Sequence, residues 1–142
     1  VERSRGLGDV YKRQVYACHH FTPELVWRPQ WMAHANGARG VASMVVVDRD
    51  PQATRLSYAR LGQWEDGFQL EFLDAPALAS RLDTLAEHAP SRPAAFAMLR
   101  FFGADRAIVA AGARSLGLPL QQDAQRVLVA LPDFDAVFEF TD

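Results

Sequence analysis

Two stretches that echo each other set the architecture: Met44–Gly62, MVVVDRDPQATRLSYARLG, and Met98–Gly117, MLRFFGADRAIVAAGARSLG. Each opens with an apolar run of strand length, passes an acidic residue, continues with helical periodicity and stops at a glycine. Aspartate accepts hydrogen bonds from the free N–H groups at a helix start, so Asp50 and Asp105 are the expected caps. Pro51 suits the first helical turn. Gly62 and Gly117 can take the left-handed conformation that ends a helix. On the first helix Ala53, Leu56 and Ala59 share a face, with Arg55 and Arg60 pointing away. On the second, Ala104, Ile108, Ala111 and Leu116 give the corresponding face.

Beyond these repeats, Gly67–Leu73 and Arg126–Leu131 read as short apolar strands, and Ala136–Thr141 alternates as a strand does. Ala75–His88 predicts an extra helix between the two halves, with Leu78, Leu82 and Leu85 on one side and Pro90 and Pro93 closing it. Two β-α-β-β units in tandem predict an α+β fold. Its mixed sheet would be curved, with helices on the convex face and a cup on the concave face. Gly62–Asp66 leaves almost no room between helix and next strand, so the first half is expected to lack a strand. A ferredoxin-like α+β sandwich would satisfy much of the same pattern.

Strand alternation singles out two carboxylates. In Gln69–Leu73, Leu70 and Phe72 point one way and Glu71 the other; in Ala136–Thr141, Phe138 and Phe140 point one way and Glu139 the other. The apolar sides should pack on the helices. Glu71 and Glu139 should then face the cup from equivalent positions, where each needs a cation, a donor or water.

Before the first strand lies the most unusual composition in the chain, Cys18–Ala38, CHHFTPELVWRPQWMAHANGA. It holds three of the four histidines and two of the three tryptophans. Thr22-Pro23 predicts a short helical turn, ended by Pro29. Trp27 and Trp31, with Leu25 and Val26, are expected to form an apolar plug packed on the module that begins at Val41; an aromatic wall beside a ligand cup is the sharper alternative. His19 and His20 are sequence neighbours and diverge on an extended chain, so they cannot chelate one ion together. His34 reads as a turn residue before Asn36-Gly37, and His88 as a cation at a helix C-terminus.

This connector, followed by an apolar strand and a helix opening at Asp50-Pro51, resembles the inter-module connector of bacterial glyoxalase-like proteins of the vicinal-oxygen-chelate superfamily. The resemblance runs from about Val15 to the C-terminus. It implies a βαβββ repeat and a tandem-module protein. Residues 15–40 would be the connector from the end of a first module that is missing here, and residues 41–142 one glyoxalase-like module. It further implies cytoplasmic small-molecule binding, or lyase- or dioxygenase-type chemistry assisted by a divalent metal as Lewis acid. The main site would lie in the missing module, and the partner would be that module or a second copy in a homodimer. The family's last strand of each half supplies a glutamate ligand, a position that Glu71 and Glu139 match. Its first strand supplies His, Gln or Glu, where this chain has Ser43 and Met98, or Ala97 if the strand bulges. Glu71, Glu139, Ser43 and His20 are therefore the candidate ligand-binding residues. No metal set is complete within the module, and no catalytic residue can be assigned. A metal-free binding or structural module is the alternative.

Composition sets outer limits. The 142 residues, 49% of them hydrophobic, are enough for one globular domain with a real core. A net charge of −2 argues against a nucleic-acid partner. The apolar runs are too short to cross a bilayer. The single cysteine, Cys18, excludes a disulfide framework. Residues 1–14 contain the only lysine, Lys12, in a chain otherwise rich in alanine and arginine. Their SRGLGDVYKRQ run resembles translated sequencing adapter of metagenomic origin, so a non-native tail is expected; a native polar tail is the alternative.

Overall fold

The structure is a computed structural model and describes residues 19–60 and 67–142. The expected tail, Cys18 and the Gly62 helix stop lie outside the described residues. The fold is α+β, with one six-stranded mixed sheet. Two short helical turns, α1 (Pro23–Val26) and α2 (Pro29–Met32), precede β1 (Gly40–Val47) and α3 (Pro51–Ala59). Then come β2 (Gln69–Leu73), α4 (Ala75–Leu82) running into a 3-10 segment (Asp83–His88), and β3 (Ala95–Phe102). The chain finishes with α5 (Arg106–Ser115), β4 (Leu120–Gln122), β5 (Arg126–Leu131) and β6 (Ala136–Thr141).

The spatial order is β2-β1-β3-β6-β5-β4. β1 pairs with β2 in parallel, β3 pairs with β6 in parallel, and β1 and β3 meet antiparallel at the centre. The two sequence repeats thus become two halves joined through their first strands. In the register, Glu71 sits opposite Val45 and Glu139 opposite Arg100. Val45 and Arg100 stand at the same sequence offset before the capping aspartates, so the two glutamates occupy equivalent positions. The second half adds the antiparallel strands β5 and β4 beyond β6. Among the described residues the first half has no counterpart to either. Among the described residues, the expected shortage of one strand is a shortage of two.

The caps form as their chemistry requires. The Asp50 carboxylate accepts from the Ala53 N–H, Asp74 from Ala77, and Asp105 from both Ala107 and Ile108. Gly117 has φ +66°, the left-handed turn expected after α5.

Helices lie on both sides of the sheet. On one side α3 lays Tyr58 against Phe72, and α5 buries Val109, Ala110 and Ala113 against Val127, Val129 and Phe140. These are not the helix faces read from the sequence, since Leu56, Ile108 and Leu116 are exposed. Alanine marks no side: Ala53 and Ala59 of α3 and Ala107 and Ala111 of α5 are exposed, whereas Ala110 and Ala113 of α5 are buried. The sheet instead receives Tyr58 from the first helix and Val109 with its alanine neighbours from the second. The other side belongs to α4. Its Leu78 and Leu82, with Leu85 of the 3-10 segment, are buried against Val45, Val47, Ala97, Met98, Leu128 and Val137. Burying each leucine contributes about 2 kcal/mol. The expectation of helices on one face alone is thus corrected. The inserted α4 occupies the very face toward which the glutamates point.

The connector also departs from expectation. Its last residues are anchored: Asn36 O accepts from the Asp105 N–H at 2.7 Å, and the Arg39 N–H donates to Phe102 O at 2.9 Å. The segment before them is not packed as a plug. Trp27 is 62% exposed and Trp31 60%, and Phe21, Leu25 and Met32 are exposed too. The two helical turns are a single turn each and bury no residue, so they hold the indoles beside the sheet and not within it.

Candidate functional site

The α4-covered face carries a compact group of charges. Ser43 of β1, Arg100 of β3 and Glu139 of β6 lie in one row across adjacent strands. Glu71 of β2 stands in the next row, opposite Val45. Arg126, the first residue of β5, has the same parity as buried Leu128 and Ala130 and so points to this face. Arg81 comes down from α4, three residues after Leu78 and next to Leu82, on the helix's buried flank.

All four carboxylate oxygens are occupied. Glu71 Oε1 accepts from Ser43 Oγ at 3.1 Å, and Glu71 Oε2 accepts from Arg81 Nη1. Glu139 Oε2 accepts from Arg81 Nη2 at 3.2 Å and from Arg100 Nε at 2.9 Å, and Glu139 Oε1 accepts from Arg126 Nη1 at 3.2 Å. Arg126 also donates to the Arg81 carbonyl at 3.3 Å, satisfying a free acceptor in the last turn of α4. The Glu139 side chain is only 3% exposed.

The electrostatics follow. Burial pushes the Glu139 carboxyl up. The hydrogen bond and charge of Arg100, then the Arg126 bond and the Arg81 charge, together outweigh it and hold the group below the usual carboxylate range. Burial lowers the Arg81 guanidinium, while the Glu71 hydrogen bond and charge, and then Glu139, raise it further, so the net shift is upward. A carboxylate held ionised by three cations is a poor general base or acid near neutral pH, where catalysis favours a pKa close to the working pH.

The divalent metal implied by the resemblance does not fit this donor set. Each of the four carboxylate oxygens already accepts from a guanidinium or a hydroxyl, and the three arginines stand where a cation would have to enter. Among the described residues no group of three or more His, Cys, Asp or Glu side chains is placed to hold an ion.

Of the residues singled out from sequence, the fold brings Glu71, Glu139 and Ser43 together. It does not bring His20, which is exposed and meets Trp27 edge-on at 6.5 Å. Met98 is buried in the core beneath α4. Sequence reasoning missed Arg81, Arg100 and Arg126. Each carried a signal: an arginine on the leucine flank of a predicted helix, or at the inward parity of a strand, must meet an anion when buried.

A second feature lies on the opposite face. Phe101, Phe138 and Phe140 form a continuous aromatic floor, with Phe101 stacked on Phe140 at 5.2 Å and tilted to Phe138 at 5.1 Å. Trp27 and Trp31 of the connector stand over it and enclose a cleft of about 570 Å³, whose rim includes Arg39.

No family model matches the chain, and no curated protein or solved structure matches it. No described helix is long and apolar enough to cross a membrane.

Proposed function

We propose that this chain is a metal-free glyoxalase-like module. In this reading the two glutamates of the vicinal-oxygen-chelate pattern have become a structural ion-pair cluster, and any metal-assisted step belongs to the first module that the resemblance implies. The topology supports the family reading. β3-α5-β4-β5-β6 is a βαβββ unit whose first and last strands lie side by side in parallel, and β1-α3-β2 is a shortened copy. The observation that carries the functional reading is Arg81 of the inserted α4, which bridges Glu71 and Glu139 where a metal would otherwise draw them together. Its role is to pin the insertion onto the sheet and to seal the cup.

The reading is tested by calorimetric titration of the chain with Zn²⁺, Ni²⁺, Mn²⁺ and Mg²⁺, repeated on Glu71→Gln and Glu139→Gln. The expected result is no binding tighter than about 10 µM, equivalent to roughly 7 kcal/mol, for any ion. Submicromolar binding that either substitution abolishes would overturn the proposal and restore a metalloenzyme module.

A further inference from the structure

The aromatic cleft lies on the sheet face opposite the ion-pair cluster and shares no residue with it. Its size falls in the range of small-molecule sites, about 300–1,000 Å³. Its walls suit a flat apolar group: three phenyl rings below and two indoles above. Both indoles remain mostly exposed in the chain alone, so a ligand that covered them would remove a large apolar area from water.

The polar element at the rim decides the ligand's chemistry. The Arg39 guanidinium sits 5.8 Å from the Phe102 ring centroid, and no carboxylate among the described residues lies within ion-pair distance of it. The backbone is shaped for this side chain. Gly103 has φ +73°, and a Cβ there would collide with Nε and Cγ of Arg39. The arginine stem is thus laid across a glycine, and its head lies near the Phe102 ring at the margin of the cleft. A guanidinium beside an apolar wall recognises a planar carboxylate through paired N–H···O bonds.

We propose that this cleft binds a small aromatic monocarboxylic acid. Its ring lies between the Trp27 and Trp31 indoles and the phenylalanine floor, and its carboxylate rests on Arg39.

The probes are 2-naphthoate and its uncharged counterpart 2-naphthamide, titrated into the full chain by calorimetry. The indole N–H signals of Trp27 and Trp31 are followed in parallel by NMR. Naphthoate should bind and shift both indole signals, and naphthamide should bind at least about tenfold more weakly, the scale of one charge-assisted hydrogen bond. Arg39→Met, which keeps the stem, should remove that preference and leave naphthamide binding unchanged. Trp31→Leu should weaken both probes. Each variant is first shown to melt at or near the parent temperature, which is expected because both side chains lie at the surface. Equal binding of acid and amide, indifference to Arg39→Met, or binding that leaves both indole signals in place overturns the proposal. So does a sedimentation result in which two copies bury the indoles against each other and naphthoate fails to bind.

Discussion

Replacing Glu139 with glutamine tests the ion-pair cluster most directly. The substitution keeps the shape and removes the charge on which three guanidiniums converge. Removing one partner of a buried pair costs about 3–5 kcal/mol, because the remaining charge stays in a poorly solvated site. Here the orphaned cations are not sealed: the Arg81, Arg100 and Arg126 side chains are 18%, 33% and 25% exposed. Partial hydration places the expected cost near the lower end, about 3 kcal/mol at pH 7. The assay is urea denaturation of both proteins from pH 7 to pH 3. The folded Glu139 pKa is lowered from an ordinary value of 4.5. The carboxylate's contribution is therefore fully present above that ordinary value and is lost as pH falls through the lower folded value. Glutamine does not titrate. The gap between the two proteins should stay flat from neutral pH to about pH 5 and close in the acid range. A gap under about 1 kcal/mol at pH 7, or one that acid leaves unchanged, would refute the argument that Glu139 is a buried, cation-held charge.

Trp27→Ala and Trp31→Ala should each lower stability by less than about 1 kcal/mol, since both rings are mostly exposed; buried rings would cost about 3–5 kcal/mol in the same denaturation experiment. Leu82→Ala should cost about 2–5 kcal/mol, because Leu82 is fully buried under α4. Leu56→Ala, on the helix side that the sequence pattern wrongly turned inward, should fall within about 0.5 kcal/mol of the parent. Gly103→Ala forces a β-carbon into a left-handed backbone position and should cost roughly 1–2 kcal/mol by thermal melting. It should also displace Arg39, which a change in the NMR signal of its Nε–H group would report.

Much of the sheet was legible because strand alternation is a strong local signal. Glu71 between Leu70 and Phe72, and Glu139 between Phe138 and Phe140, had to point away from the apolar side, and they do. The inserted helix was legible for the same kind of reason, since Leu78, Leu82 and Leu85 line one flank. Three things were not. β4, only three residues long, is too short to show a period. The buried side of α3 rests on Tyr58 alone, and α5 carries alanines on both its buried and its exposed sides, which fit a helix surface and a helix interface equally well. The placement of the connector and of α4 is a matter of tertiary docking, and no local period encodes which sheet face a segment will cover. A cluster of tryptophans in sequence predicts burial only when some surface in the same chain is free to receive them.

The position of α4 also decides how the carboxylates can be used. Once its leucines are committed to the core under Met98 and Leu128, Arg81 is carried onto the sheet with them and must find an anion there. Glu71 and Glu139 are the carboxylates its two terminal nitrogens meet. Arg100 and Arg126 then converge on Glu139, and Asp123, whose carboxyl is lowered by the Gln125 and Arg126 backbone N–H groups, contacts Arg126 at 3.4 Å. Three guanidiniums face three carboxylates, so the group is close to neutral as it stands. A divalent ion entering it would leave an excess of two positive charges in a partly buried site, unless guanidiniums were expelled. Expelling Arg81 means lifting α4, and with it Leu78, Leu82 and Leu85, off the sheet. At about 2 kcal/mol for each leucine, that penalty is comparable to the binding energy of a two-carboxylate site for a weakly held ion. In the proposed metal-free reading, the insertion would keep a metal out by the same contacts that hold the fold together.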